Sequence, residues 1–292
     1  METFDRPDTM RAWADAQRRA GATIALVPTM GALHHAHLAL VDAGARRCDL
    51  VVVSIFVNPL QFNEHVDFDS YPRPVTDDVE ACRAAGVAAV YVPTAAAMYP
   101  PGSQTHVVPG PLADVMEGPM RPGHFEGVAT VVTKLFGAVL PHVALFGQKD
   151  YQQLAIIGRM SRDLDLGVEV IGHPTVRDND GLAMSSRNLN LTAPQRSAAV
   201  CVPRSLDAAV ALAADPAATA ADVIDAAERV IAAVPSARHE YTTVFDAETL
   251  AEIDDLPSHE HTPGSVRIAT AVWFGTVRLI DNRDLFADTD LS

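Results

Sequence analysis

Five short stretches hold the side chains able to do chemistry. The first is Pro28-Thr-Met30-Gly31-Ala32-Leu33-His34-His35-Ala36-His37, directly after the apolar run Thr23–Val27. A strand end that opens into a helix N-terminus offers backbone N–H groups and a favourable dipole to an anion. His34 and His37, three residues apart, share one face of such a helix, and His35 is turned away from them. Two imidazoles on one face can donate hydrogen bonds to charge building on a phosphate. The bland alternatives are a surface histidine cluster or an HxxH metal pair. A metal would want further His or carboxylate ligands, and none stands at suitable spacing.

The second stretch is Gly147-Gln148-Lys149-Asp150-Tyr-Gln-Gln153, again after an apolar run. Gly147 permits close backbone approach and Lys149 brings a compact positive charge to a phosphate. Asp150 can bond a ribose hydroxyl or cap the next helix, and the residues alone leave both open. The third, Asp180-Gly-Leu-Ala-Met184-Ser185-Ser186-Arg187-Asn188, suits a mobile clamp on a triphosphate, although Ser and Arg in a loop are often only solvated. The fourth, Ser54-Ile-Phe-Val-Asn58-Pro-Leu-Gln61-Phe, puts neutral amides at a strand end, where they can orient a small polar substrate. In the fifth, Arg121-Pro-Gly-His124-Phe-Glu-Gly-Val128, the valines Val128, Val131 and Val132 line a wall or simply pack in the core.

These stretches need elements to position them. A helix is expected over residues 9–20, capped by Thr9 and stopped by Gly21, then a strand at Thr23–Val27 and a helix over 37–47. Leu50–Val57 is apolar and β-branched almost throughout, which marks a strand buried on both faces, as in a parallel sheet. The alternation continues with a helix from Thr76 to Gly86, a strand at Ala88–Val92, a helix over 127–139, a strand at His142–Phe146, a helix after Lys149 and a strand at Val168–Ile171. Strand–helix repetition implies right-handed βαβ units and a doubly wound α/β sheet. Beyond about residue 175, a long Ala-rich helical region (193–233) precedes strands near 240–245 and 266–280. That pattern reads as a smaller α+β domain, giving a Rossmann-like domain over 1–175 and a C-terminal lid domain over 176–292.

Composition limits the partners. The 292 residues carry 22 Lys+Arg against 37 Asp+Glu, a formal charge of −15, which opposes a nucleic-acid surface without excluding a local basic pocket. Cys48, Cys82 and Cys201 lie far apart and form no CxxC pair, so buried thiols are expected rather than zinc ligands or disulfides. The N-terminal residues hold no continuous apolar run, so neither a signal peptide nor a spanning helix is expected, and a cytoplasmic location follows.

The ordered set PTMGALHxxH, SIFVNPxQF, YPR, RPxHFxGV, GxKDxQQ, PTVR, GLAMSSRN and RLIDN, spanning about residues 21–283, resembles the pantothenate synthetase (pantoate–β-alanine ligase) family. The resemblance implies the HIGH-type nucleotidylyl transferase superfamily, related in its first domain to class I aminoacyl-tRNA synthetases. It further implies a homodimer in pantothenate and coenzyme A biosynthesis, using ATP and Mg²⁺ to join pantoate to β-alanine through pantoyl-adenylate.

Carried over by position, the resemblance implies that Met30, Gly31, Ala32, Leu33, His34, His35, Ala36 and His37 bind ATP, with His34 and His37 on its phosphates and His37 as proton donor. Gly147, Gln148, Lys149 and Asp150 would hold ribose and phosphates. Val176 and Met184 would flank adenine, and Ser185, Ser186 and Arg187 match a KMSKS-like loop. Catalysis would rest on His37, His34, Lys149 and Arg187. Gln61 and Gln153 would hold pantoate, with Asn58, Tyr71, Arg121 and His124 around the substrates. Asp77 or Asp78 would help place Mg²⁺.

Two motifs depart from the family pattern: in the first, Ala36 stands where relatives have Gly and His35 replaces a carboxylate; in the second, Gln148 replaces a carboxylate. The Ala36 methyl adds crowding that costs up to about 1–3 kcal/mol if the site cannot adjust. An ATP-binding paralogue with weakened or lost catalysis is therefore the alternative reading. Another nucleotidylyl transferase is the other, but it leaves Gln61, Gln153 and the RLIDN ending unexplained. A tRNA-binding role is opposed by the acidic charge.

Overall fold

The computed structural model describes residues 1–62, 68, 71–256 and 264–286. The chain divides into two compact units, one of residues 1–148 and 152–174, the other of residues 149–151 and 175–292.

The first unit is built on six parallel strands in the order β1-β4-β3-β2-β5-β6. They are β1 (Glu2–Phe4), β2 (Ile24–Thr29), β3 (Leu50–Ile55), β4 (Ala89–Tyr91), β5 (Val143–Gly147) and β6 (Glu169–His173). The longer helices between them, among the described residues, are α1 (Pro7–Arg19), α2 (His35–Ala45), α3 (Val75–Ala84), α4 (His124–Val139) and α5 (Tyr151–Asp163). The continuous apolar runs are explained by burial on both sheet faces. Ile24, Leu26 and Val52 pack with α1 and α4, while Ala25, Val27, Val51 and Val53 pack with α2 and α3. Val128, Val131 and Val132 belong to the first of these cores, so their work is packing.

Strand order reverses between β2 and β5. These two strands share only the pairs Ala25↔Val143 and Leu26↔Ala144, so their carboxyl ends part. A crevice at such a switch point is where open α/β sheets bind ligands. The strand ends there lead into the histidine stretch after β2 and the Gln148–Asp150 turn after β5.

The second unit has an antiparallel sheet, β7 (Ala237–Asp246), β8 (Val266–Phe274) and β9 (Val277–Asp284), in that order. It is covered by α6 (Cys201–Ala213) and α7 (Ala220–Ala232) through Leu206, Ala209, Val223 and Ala227 against Val244 and Ile268.

Local details differ from the sequence expectations. Helix α1 starts at Pro7, after Arg6 as N-cap, and Thr9 donates to the Arg6 carbonyl (3.0 Å) instead of capping. Proline suits that first position because it has no N–H to leave unpaired. Strand β1 has no counterpart among the expected elements, since three residues held only by β4 leave no periodic trace. The 266–280 run is a hairpin, in which Phe274 faces Val277 across a two-residue turn containing Gly275 (φ 63°). The 193–233 region is three helices, Ala193–Ala198, α6 and α7. Cys82 and Cys201 are buried and burial pushes both thiols up to about 11, whereas Cys48 is only half-buried.

Candidate active site

Backbone donors of the loop after β2 are nearly all taken by side chains. The Gly31 N–H donates to Thr29 Oγ1 (3.2 Å), those of Ala32 and Leu33 donate to Asp78 Oδ2 (2.9 Å) and Oδ1 (2.7 Å), and that of His34 donates to His37 Nδ1 (3.2 Å). The backbone N–H groups of residues 31–34 are thus engaged within the protein. The N–H groups of His35 and Ala36, in the first turn of α2, have no intrahelical partner, as at any helix start.

The His34 and His37 rings lie 4.1 Å apart between centroids. Because His37 Nδ1 accepts a backbone N–H, the neutral ring carries its proton on Nε2 and is a donor there. His35 is exposed and turned from the pair, as helix geometry requires. Ala36 is half-buried.

A second cluster follows β3. Asn58 and Gln61 are both buried. Tyr99 donates its hydroxyl to Asn58 Oδ1 (2.8 Å), and Asn58 Nδ2 donates to Gln61 Oε1 (3.1 Å) and to the Gly127 carbonyl (3.0 Å). That chain of bonds fixes the Gln61 amide with Nε2 on the side of Met30, donating to its Sδ at 3.1 Å. Gln61 therefore presents a donor, which suits an oxygen-rich substrate. Burial pushes the Tyr99 phenol up, keeping it a neutral donor. His124 Nδ1 lies 2.9 Å from the Gln61 carbonyl, and Arg121 Nη1 lies 3.0 Å from His124 Nε2. A Cβ on Gly127 would sit 2.3 Å from the Leu60 carbonyl oxygen, so glycine lets α4 press on the Asn58–Gln61 turn. Tyr71 packs edge-on against Phe62, 5.9 Å between ring centroids.

Gln152 and Gln153 have separate fates. Gln152 is buried and structural, accepting from Glu117 N–H and donating to the Leu112 and Val115 carbonyls (3.0, 2.9 and 2.7 Å). Gln153, the residue singled out from sequence, is half-buried.

Within the second unit, Lys149 Nζ lies 3.7 Å from Asp150 Oδ1, and the Lys149 carbonyl accepts from Asn282 Nδ2 at 2.9 Å. Asn282 Oδ1 in turn accepts from buried Arg267, whose guanidinium stacks on Tyr151 at 4.3 Å. The RLIDN segment thus braces the backbone of Lys149, and nothing in the sequence beyond its motif membership pointed there. Residues 176–184 fold back on themselves: the Met184 N–H donates to the Val176 carbonyl (2.9 Å), with a bridge between Arg177 and Ala183. Two ion-pair clamps hold this turn. Arg177 grips buried Asp281 through both oxygens (2.6 and 3.0 Å), and Arg196 reaches Asp178 (2.9 Å) and Asp180 (2.7 Å). Ser185 Oγ caps the turn Ser186–Asn190 by accepting the Arg187 N–H (3.2 Å), and Arg187 itself is exposed.

A doubly wound parallel sheet, with a two-histidine helix start at its switch point, defines an α/β enzyme of the nucleotide-handling class. The family of pantoate-beta-alanine ligase matches residues 2–284. Among curated proteins, the pantothenate synthetase of Desulfatibacillum aliphaticivorans is 46% identical over 285 residues, covering 98% of this chain and 99% of that protein. That of Rhodopirellula baltica is 48% identical, covering 98% and 99%. The solved pantothenate synthetase of Thermus thermophilus aligns with a TM-score of 0.90 at 42% identity, over 98% and 100% of the two chains. The pantoate-beta-alanine ligase of Francisella tularensis, complexed with beta-gamma ATP and beta-alanine, aligns at 0.78 and 30% identity over 98% of each. The chain belongs to the pantoate–β-alanine ligase family.

Proposed function

We propose that this chain joins pantoate to β-alanine in two steps driven by ATP. In the first, a pantoate carboxylate oxygen attacks the α-phosphorus of ATP, the bond to the β-phosphate oxygen breaks, and pyrophosphate leaves pantoyl-adenylate behind. A carboxylate is already ionised at neutral pH, so this step needs no base. It needs relief of repulsion between two anions, which fixed donors and cations supply. In the second, the free amine of β-alanine attacks the acyl carbon and AMP departs.

The donor set fits the first step. The observation that carries this reading is the bond from His34 N–H to His37 Nδ1 (3.2 Å), which assigns the neutral ring's proton to Nε2. His34, Lys149 and Arg187 add donors and charge, and the His35 and Ala36 amides complete an anion-binding helix start. Met30 and the Gly31–Leu33 backbone border the nucleotide, Gly147, Gln148 and Asp150 its ribose, and Val176 and Met184 its adenine. Ser185 and Ser186 close over the phosphates with Arg187. Gln61 and Gln153 hold pantoate, with Asn58, Tyr71, Arg121 and His124 arranging the pocket.

Among the described residues, no group of three His, Cys, Asp or Glu side chains could hold a metal ion. Mg²⁺ commonly rides on nucleotide phosphates and retains several waters, so a protein cage is not required. Asp78 already accepts two backbone N–H groups, leaving exposed Asp77 as the carboxylate open to the ion's waters. When bound, the ion would neutralise phosphate charge.

The region 1–175 would act as the ATP- and pantoate-binding domain and 176–292 as a lid domain whose 184–187 loop keeps water from the adenylate. A homodimer in the cytoplasm completes the reading. Among the described residues, no helix is long and apolar enough to cross a membrane. The test is AMP formation with ATP, pantoate and β-alanine, omitting each in turn. AMP should require all three, and AMP formed without pantoate would refute the assignment.

A further inference from the structure

The turn between β2 and α2 is held in an unfavourable shape. Gly31 has φ 87° and Ala32 has φ 51°, and Ala32 bears the left-handed penalty that its side chain brings. Consecutive N–H groups in such a turn form a concave nest that ordinarily takes an anion. Here the anion is internal. Asp78, delivered from the first turn of α3 and only 3% exposed, accepts Ala32 N–H at 2.9 Å and Leu33 N–H at 2.7 Å. The fit is close, because a Cβ at position 31 would meet Asp78 Oδ2 at 2.9 Å and Ile55 Cγ2 at 3.2 Å.

We infer that Asp78 is a positioning residue: its carboxylate stands in for a bound anion, locks the left-handed turn at Ala32, and so sets where His34 and His37 point. Neither carboxylate oxygen then serves as a metal ligand of first resort. The buried negative charge also keeps phosphate out of the nest, directing it to the imidazoles and the His35 and Ala36 amides beyond. This inference rests on the proposed role of the two histidines at the nucleotide.

Four proteins test it through pantoate-dependent exchange of pyrophosphate into ATP: wild type, Asp78→Ala, Asp78→Ala with Ala32→Gly, and Asp78→Asn. Misplacing a reacting group by about 1 Å costs about 100-fold, so Asp78→Ala should lose that much in the exchange rate. Sodium formate, small enough to enter the vacated nest, should restore a large part of the loss, whereas excess Mg²⁺ should not. The added Ala32→Gly change should also recover activity, because glycine holds the left-handed turn without help. Asp78→Asn, which sets an amide N–H₂ against a backbone N–H, should be impaired and indifferent to formate. Should Asp78→Ala fail to fold, the double variant must fold and exchange for the inference to stand. An Asp78→Ala protein with the wild-type rate, rescue by Mg²⁺ alone, or a double variant no better than the single one would each overturn it. Absence of exchange in the wild type would instead sink the proposed function, so the two failures are distinct.

Discussion

The chemistry assigned to this chain reduces to donors whose direction is set by neighbours. His37 is a donor at Nε2 because a backbone N–H occupies Nδ1, and Gln61 is a donor because Asn58, itself oriented by Tyr99, holds its oxygen. Removing charge neutralisation should therefore cost rate rather than fold. His37→Ala and Lys149→Ala are each expected to lower pantoate-dependent pyrophosphate exchange by about 100-fold or more, with circular dichroism unchanged. Wild-type exchange in either variant would remove that residue from the mechanism. Ala36 gives a second expectation at this scale. If its methyl crowds the nucleotide, Ala36→Gly should tighten the KM for ATP by up to about tenfold, equivalent to about 1.4 kcal/mol. An unchanged KM would show that the site already accommodates the methyl.

At the scale of elements, turns are braced by buried polar residues from distant parts of the chain. Arg177 and Asp281 fasten the 176–184 turn to β9 with Asp281 almost wholly buried. Arg177→Ala would strand that carboxylate, with an expected loss of about 3–5 kcal/mol in urea denaturation; a loss below about 1 kcal/mol would contradict this. The same elements show what a sequence can disclose. Leu50–Ile55 was legible because burial on both faces writes itself as an unbroken β-branched run. Strand β1 was not, since its pairing with β4 is entirely non-local, and the 274–277 turn was hidden inside continuous hydrophobicity. Local motifs disclosed His34, His37, Asn58 and Gln61, whose types advertise their chemistry. Tyr99 and Asn282 act through bonds to residues 41 and 133 positions away, and no local pattern announces such partners. Asp78 stood out only as a metal candidate, because a carboxylate's type does not reveal that two amides already occupy it.

Across the whole molecule, the two ends of the parallel sheet do different work. At the carboxyl ends of β2 and β5 the strands part, while near their start His142 Nδ1 accepts the Ile24 N–H at 3.0 Å. Burial, followed by the nearby Arg18 charge, lowers the His142 pKa below its ordinary 6.5. Above that value the ring is neutral in both folded and unfolded chains, and nothing is lost. As pH falls below about 6.5 the unfolded chain takes up the proton first, so stability declines until the folded ring is protonated too. The His142→Asn protein keeps an acceptor near the Nδ1 position but cannot titrate, and its urea midpoint should fall less over that interval than the wild type's. Parallel declines would show that His142 carries none of the acid sensitivity.

Central to all of this is a site that activates a carboxylic acid on the α-phosphorus before the amine takes part. Exchange of labelled pyrophosphate into ATP isolates that step. Exchange is expected with ATP, Mg²⁺ and pantoate in the complete absence of β-alanine, and none when pantoate is withheld. Exchange that appears only when β-alanine is added, or no exchange by correctly folded protein with pantoate in excess, would contradict that order of events.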